Sequence, residues 1–437
     1  MVWDGGALLG PDGEDWLVPV SELQHRQSRF RDALLESGIE SAWISDPVDL
    51  YWLCGNRQAG AAWLPATDLT GAAPVQFVRS SLDRARHEAG ADAAVHSVEA
   101  MPRMAALADD LRLRGASRAP ALQRARLPAA DADFLAGRLA SMGTPSAGPE
   151  DCSRILWSLR ETKSEWELAR MRESGIVQRR MFEAVREHGD DRAGSGESFT
   201  ELDLAAAAER VSRAHGFGGH IRLRRWPMDC DRAVVASGPS GAVPSFFDSA
   251  IGAAGPHPLA ALGAGHRRIE PGEPVIVDIV HVHRGYVSDM TRMFSLGPPD
   301  TAWLERQADM IEIAHIVRDS LGRGDDCSAA WQSGVEAAAE MGHADHLMGM
   351  RPDQARFLGH GIGLELDETP VVATGFDRPL PIGGAMAIEP KVIHPDGAVG
   401  IEDSWVRTAD SMQRLSGGSD GAAGTGDEDA FADWTEW

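Results

Sequence analysis

The stretch Val275-Ile276-Val277-Asp278-Ile279-Val280-His281-Val282-His283-Arg284-Gly285-Tyr286-Val287-Ser288-Asp289 restricts the fold more than any other part of the chain. A Val/Ile-rich run followed by Arg-Gly and a second run has the pattern of a β-hairpin turning at residues 284 and 285. With those two residues as the loop, 283 pairs with 286 and 280 with 289, which makes Asp278 and Asp289 diagonal neighbours on one face. Two carboxylates held together among aliphatic side chains repel each other and are poorly solvated, so a positive group is required between them. A bound cation is the economical answer; the bland alternative is a lone Asp at a strand end in water. His281 and His283 alternate onto the opposite face and are expected as outer-face residues rather than as an H-x-H metal motif.

A second hairpin repeats the theme. Ala385-Met386-Ala387-Ile388-Glu389-Pro390 leads through Lys391 to Ile393, His394-Pro395-Asp396-Gly397 suits a type I turn, and Val399-Gly400-Ile401-Glu402-Asp403 returns. With Pro395 and Asp396 as the loop, Glu389 faces Glu402 directly, subject to a one-residue bulge. Between the hairpins, Phe357-Leu358-Gly359-His360-Gly361-Ile362-Gly363-Leu364 sets one histidine among glycines that allow close backbone approach. Taken alone His360 reads as a hydrogen-bonded structural residue; beside four carboxylates it reads as a ligand.

At 437 residues the chain exceeds what one hydrophobic core serves, so two domains are expected. The division is an extension at 1–17, an amino-terminal domain at 18–156, a second domain at 157–412 and an acidic flexible tail at 413–437, where Phe431, Trp434 and Trp437 retain the capacity to dock. In the first domain, Ser21-Glu22-Leu23-Gln24 has capping-box form ahead of a helix stopping at Gly38. Ala42-Trp43-Ile44, Leu50-Tyr51-Trp52-Leu53 and Val75-Gln76-Phe77-Val78 follow as apolar runs, the spacing of strands alternating with helices in an α/β domain. Ser164 with Glu167, and Thr200 with Asp203, have capping-box spacing before two further helices, and helical stretches recur at 301–321 and 329–341. No repeat of fixed period is present.

A net charge of −24 excludes nucleic acid and anionic membranes as natural partners, both of which need a basic footprint. The basic residues are arginines except for Lys163 and Lys391, a balance that fits either adaptation to high salt or a GC-rich genome. Cys54, Cys152, Cys230 and Cys327 are far apart and are expected as free thiols in a reducing cytoplasm. Met1 to Trp16 lacks the basic and apolar stretches of a secretory signal, and no apolar run reaches the roughly 18 residues needed to span a bilayer.

Asp278, Asp289 in Ser288-Asp289-Met290-Thr291-Arg292, His360 in Gly359-His360-Gly361-Ile362-Gly363, Glu389 in Ile388-Glu389-Pro390 and Glu402 in Ile401-Glu402-Asp403 resemble the five ordered ligands of the pita-bread metallopeptidases. That family includes aminopeptidase P, prolidase and methionine aminopeptidase, and creatinase shares the fold. The resemblance implies a creatinase-type α/β amino-terminal domain followed by a pita-bread catalytic domain, an α/β plus α+β chain. It also implies two divalent metal ions, Mn²⁺ first with Fe²⁺, Co²⁺ or Zn²⁺ as alternatives, bridged by Asp278 and Glu402. Asp289 would complete one ion, His360 and Glu389 the other, and Glu389 would move the proton from the activated water to the leaving nitrogen. Three histidines that peptidases of this group commonly carry are replaced here by Ser245, Arg356 and Asp367, of which Arg356 and Asp367 are candidates for catalytic duty in their stead. Trp226 and the Phe246-Phe247 pair read as core or pocket wall suited to a proline-containing peptide or dipeptide. The leading expectation is therefore a homodimeric Xaa-Pro aminopeptidase or dipeptidase. The alternatives are a non-peptidase enzyme on the same fold, a metal-dependent lyase or C–N hydrolase, and a non-catalytic binding protein.

Overall fold

The computed structural model describes residues 8–10, 13–66, 72–90, 95–143, 150–218, 220–225, 228, 230, 233–418 and 431–437. Trp226, a candidate wall residue, lies outside them. The chain divides into two compact units, Met1–Arg160 and Glu161–Trp437. Among the described residues no helix is long and apolar enough to cross a membrane.

The first unit is a five-stranded mixed sheet in the order β4-β3-β2-β1-β5, built from β1 (Ser41–Ile44), β2 (Gly60–Pro65), β3 (Val75–Val78), β4 (Ser97–Ala100) and β5 (Ala121–Leu122). Its helices are α1 (Val20–Glu36), α2 (Pro47–Cys54), α3 (Leu82–Glu88), α4 (Leu107–Leu113), α5 (Ala129–Leu139) and α6 (Ser153–Glu161). Two local expectations are corrected. The first helix begins at Val20 with Pro19 at its cap and no side-chain capping bond, so Ser21 lies inside the helix rather than capping it. The apolar run Leu50–Leu53 belongs to α2, not to a strand. The Asp46 carboxylate accepts the N–H groups of Val48 and Asp49 at 2.9 and 3.2 Å, and Pro47 occupies a first-turn position where its missing N–H costs nothing.

The second unit carries a nine-stranded sheet, with two helices before its first strand and two between its third and fourth strands in chain order. Its helices are α7 (Glu165–Ser195), α8 (Glu201–Ala214), α9 (Thr301–Arg323) and α10 (Cys327–Glu340). The strands are β6 (Ala233–Ser237), β7 (Val275–His283), β8 (Tyr286–Ser295), β9 (Gly359–Gly361), β10 (Glu368–Val371) and β11 (Ala385–Ile388), then β12 (Lys391–His394), β13 (Gly397–Gly400), β14 (Glu402–Arg407), β15 (Met412–Arg414) and β16 (Trp434–Glu436). The sheet order is β10-β9-β11-β14-β8-β7-β6, with β15 on β14, β16 on β8, and β12-β13 as a separate ribbon. Ser164 with Glu167 and Thr200 with Asp203 form full capping boxes on α7 and α8, satisfying N–H groups that a helix start leaves unpaired. Val277, Ile279 and Met290, on one face of the β7-β8 pair, pack into a core with Met181, Phe182 and Leu204 of the α7-α8 pair. A second core joins Met386 and Ile388 of β11 to Met310, Ile313 and Val317 of α9 and Ala330 of α10.

The chain's last residues are not a free tail. Strand β16 runs parallel to β8, Phe431 is only 5% exposed, and the Trp437 ring stacks on Phe294 with centroids 5.0 Å apart. Residues 412–414 are likewise a strand, and Leu415 and Ser416 are buried. Three aromatic side chains among seven residues supply enough apolar area to offset the entropy of ordering that short segment. The acidic stretch 419–430, the rest of the expected tail, lies outside the described residues.

Candidate metal centre

The β7-β8 hairpin has the register its turn dictates: His283 opposite Tyr286, Val280 opposite Asp289, and Asp278 opposite Thr291. Arg284 and Gly285 both have positive φ, 52° and 95°, as a two-residue turn matching the strand twist requires. In the second hairpin Lys391 pairs with Gly400 and His394 with Gly397, while Ile388 pairs with Asp403. One register therefore runs through both pairings, setting Glu389 across from Glu402 without the bulge allowed for in the sequence. Glu402 in turn pairs with Thr291, which joins the two hairpins edge to edge. His360 enters from β9, opposite Ala387 of β11. Gly359 and Gly361 leave room for the backbones of Ala387 and Glu368, and a Cβ at either position would collide with them.

These pairings bring Asp278, Asp289, His360, Glu389 and Glu402 to the wall of one cavity of about 260 Å³. His360 Nδ1 lies 3.1 Å from the Gly361 carbonyl, which can only accept, so that nitrogen carries the hydrogen and Nε2 is left with a free lone pair. Nε2 points into the cluster, 3.4 Å from Glu389 Oε1, 3.8 Å from Asp289 Oδ2 and 3.9 Å from Glu402 Oε1. Asp289 Oδ1 and Glu402 Oε1 are buried with no hydrogen-bond partner. Ligand atoms of Asp289, His360 and Glu402 all lie within 4.8 Å of one another, so these residues fit a cation. Burial, then the charges of Glu402 and Asp278, push the Asp289 carboxyl well above the usual range; burial and Glu389 do the same to Glu402.

The sequence reading missed a sixth participant. Lys391, 1% exposed, places Nζ 2.6 Å from Glu389 Oε2, 2.7 Å from Glu402 Oε2 and 3.3 Å from Asp278 Oδ2. Burial works against its charge, but Asp278, Glu389 and Glu402 outweigh it and hold the ammonium well above the ordinary lysine value. The signal was available: in extended chain a residue two after Glu389 shares its face. Glu402 thus has one oxygen toward the lysine and the other toward His360, while Asp278, expected as the second bridging residue, faces the lysine. Thr291 also donates to Glu402 Oε2 at 3.0 Å. Behind the site, Arg292 holds both Asp403 oxygens at 3.1 and 2.9 Å and the Glu402 carbonyl at 2.9 Å, which fixes the backbone that carries Glu402.

Of the other candidates, Arg356 is exposed and lines the cavity. Asp367 lines it too, but its carboxylate accepts the Arg224 backbone N–H and the Arg225 side chain, the latter at 3.2 Å. Ser245 is not among the lining residues, and its hydroxyl accepts the Phe247 N–H at 3.3 Å. Phe247 is a wall residue, whereas Phe246 is largely exposed. His281 and His283 are on the face away from the cluster, but that face is covered rather than solvated. His281 is fully buried with Nδ1 2.9 Å from Ser212 Oγ, and burial lowers its pKa to about 3; His283 pairs with Glu173 at 3.2 Å. The four cysteines are free.

Residues 169–409 match the model of Metallopeptidase family M24. The chain belongs to that family. Residues 26–162 match the Creatinase/Prolidase N-terminal domain, so a creatinase-type domain precedes an M24 catalytic domain. The Xaa-Pro dipeptidase of Pyrococcus furiosus is 28% identical over 178 residues, 40% of this chain and 49% of that protein. A probable dipeptidase PepE of Mycobacterium bovis is 28% identical over 259 residues, 59% of this chain and 58% of that protein. The chain spans about half the length of the curated relatives it matches. The solved dipeptidase PepE from Mycobacterium ulcerans superposes with a TM-score of 0.73 at 22% identity, covering 96% of this chain and 100% of that one, a likeness of fold.

Proposed function

We propose that this M24 protein is a metal-dependent hydrolase cleaving a bond beside proline in short peptides, as a Xaa-Pro aminopeptidase or dipeptidase. The observation that carries the reading is the pair of buried, unpartnered oxygens, Asp289 Oδ1 and Glu402 Oε1, on two carboxylates that approach His360 Nε2 to 3.8 and 3.9 Å at the wall of a cavity. A divalent ion on these residues, Mn²⁺ by the oxygen-rich character of the set, supplies the Lewis acidity that polarises a carbonyl and acidifies a water.

The remaining work falls to side chains. Glu389 lines the cavity with Oε1 toward His360 and Oε2 held by Lys391, a position from which it carries a proton between water and the leaving nitrogen. Val234, Phe247, Ile251, Leu262, Phe357 and Phe376 line an apolar wall that suits a proline ring. Arg356 offers a guanidinium where histidine is common in related peptidases, and binds the substrate's carboxylate or carbonyl oxygen. Asp367, held by Arg224 and Arg225, acts by positioning the 222–225 segment at the cavity wall.

The test is a panel of Xaa-Pro dipeptides and longer Xaa-Pro peptides, followed by mass spectrometry on chelator-treated protein reloaded in turn with Mn²⁺, Co²⁺, Fe²⁺ and Zn²⁺. Cleavage restored by a metal is the expected result. The replacement of three accessory histidines by Ser245, Arg356 and Asp367 favours a second reading, a non-peptidase lyase or C–N hydrolase, and complete inactivity on every peptide with metal bound selects it.

A further inference from the structure

The five-ligand pattern implies two cations, yet one cationic position is already filled by the protein. Lys391 Nζ is within 3.3 Å of three separate carboxylates, and it takes up the very oxygens, Glu389 Oε2 and Glu402 Oε2, that a second ion would need. We propose that Lys391 stands in place of one of the two ions, so that the centre takes a single divalent ion on Asp289, His360 and Glu402. The inference rests on reading this cluster as a metal centre.

Three independent observations carry it. The first is which oxygens remain. Lys391 satisfies the Asp278 and Glu389 side of the cluster, and the unpartnered buried oxygens lie on the other side, on Asp289 and Glu402. Those two residues and His360 are also the set whose ligand atoms converge. The second is space. Lys391 pairs across the ribbon with Gly400, and a Cβ at 400 would collide with Lys391 Cγ, so the opposing strand is cut away where the lysine stem passes. At 1% exposure the side chain is enclosed by the protein. The third is composition. Arginine supplies every other cation of this chain except Lys163, itself buried against Glu368 at 2.9 Å. A planar guanidinium cannot occupy an ion-sized hole among three carboxylates, whereas a compact ammonium can.

Charge leads to the same count. Four carboxylates against one ammonium leave three negative charges, and one divalent ion reduces that to one. A second divalent ion would leave the buried site net positive and would sit beside the ammonium, where like-charge repulsion opposes it.

The decisive measurement is the metal content of the full chain. Protein saturated with Mn²⁺ and freed of excess is analysed by elemental analysis and electron paramagnetic resonance, alongside Lys391→Met, whose side chain is one atom shorter and so removes the ammonium from the position among the carboxylates. Wild type is expected to hold one ion per chain with the six-line signal of an isolated Mn²⁺; Lys391→Met is expected to hold two, with the multiline signal of a coupled pair. Two ions in wild type, or a variant that stays at one, overturns the inference and leaves the metal-centre reading intact. No ion in wild type under any loading condition overturns both. If Lys391→Met does not fold, the wild-type stoichiometry alone decides.

Discussion

Glu389 carries two relationships at once, a hydrogen bond from Lys391 to Oε2 and a 3.4 Å approach of Oε1 to His360. Replacing it by glutamine keeps the shape and one acceptor oxygen, which can still meet the lysine, but removes the ability to take up a proton. Glu389→Gln is therefore expected to lower kcat by about 10² to 10⁴ with little change in KM, the size typical of a general acid-base group whose interaction belongs to the transition state. Steady-state kinetics at saturating metal, with occupancy measured in both proteins, separates this from weaker metal binding. A loaded variant with near wild-type turnover would show that the proton travels through another group. Asp367 would be the next residue to test, though its bonds to Arg224 and Arg225 make it a poorer proton carrier.

At the scale of elements, the sheet supplies the site by register rather than by loops. A slip of β7 by one residue against β8 would turn Asp278 to the α7-α8 side and part it from Asp289, so the turn at Arg284-Gly285 and the buried Val277, Ile279 and Met290 protect the chemistry as well as the core. The parallel strand β16 reinforces the same element, since it lies along Met293 to Ser295 of β8. Phe431 packs there against Phe182 and Phe294, with centroids 5.6 and 6.2 Å away. Phe431→Ala is expected to cost about 3–5 kcal/mol, the range for emptying a buried aromatic site. Urea unfolding should show a lowered midpoint with an unchanged slope. An unaltered midpoint would mean that the chain end does not contribute to the fold.

The whole molecule carries a net charge of −24, an excess of carboxylates that no pairing with its own arginines and lysines can remove. Exposed pairs such as Arg192–Glu197 and Arg323–Asp325 weaken as salt rises, while the repulsion among unpaired carboxylates is relieved. The excess of acidic residues makes the second effect the larger, so the thermal midpoint is expected to climb between about 0.1 and 1 M NaCl, as the screening length falls from about 10 to about 3 Å. Calorimetry at fixed pH measures it. A flat or falling midpoint would assign the arginine-rich, acidic composition to codon usage rather than to salt.

Local chemistry made much of this protein legible in its sequence. Turn residues and two-residue periodicity set both hairpins, and capping boxes marked α7 and α8, because each depends on atoms within a few residues of one another. The order of Asp278, Asp289, His360, Glu389 and Glu402 could be set out for the same reason, each residue lying in a short segment whose geometry is local, and all five line one cavity. What only the tertiary structure decided depends on which distant segments meet. Leu50–Leu53 became a helix because its cap and its buried face won over its apolar run, and the last residues became a strand because β8 had an unpaired stretch for them. Lys391 became part of the centre for the deepest reason of this kind. Whether a buried ammonium is a surface accident or the counter-ion of three carboxylates depends on Asp278 and Glu402, which arrive from other strands, and charge compensation is a property of the assembled cluster rather than of any one segment.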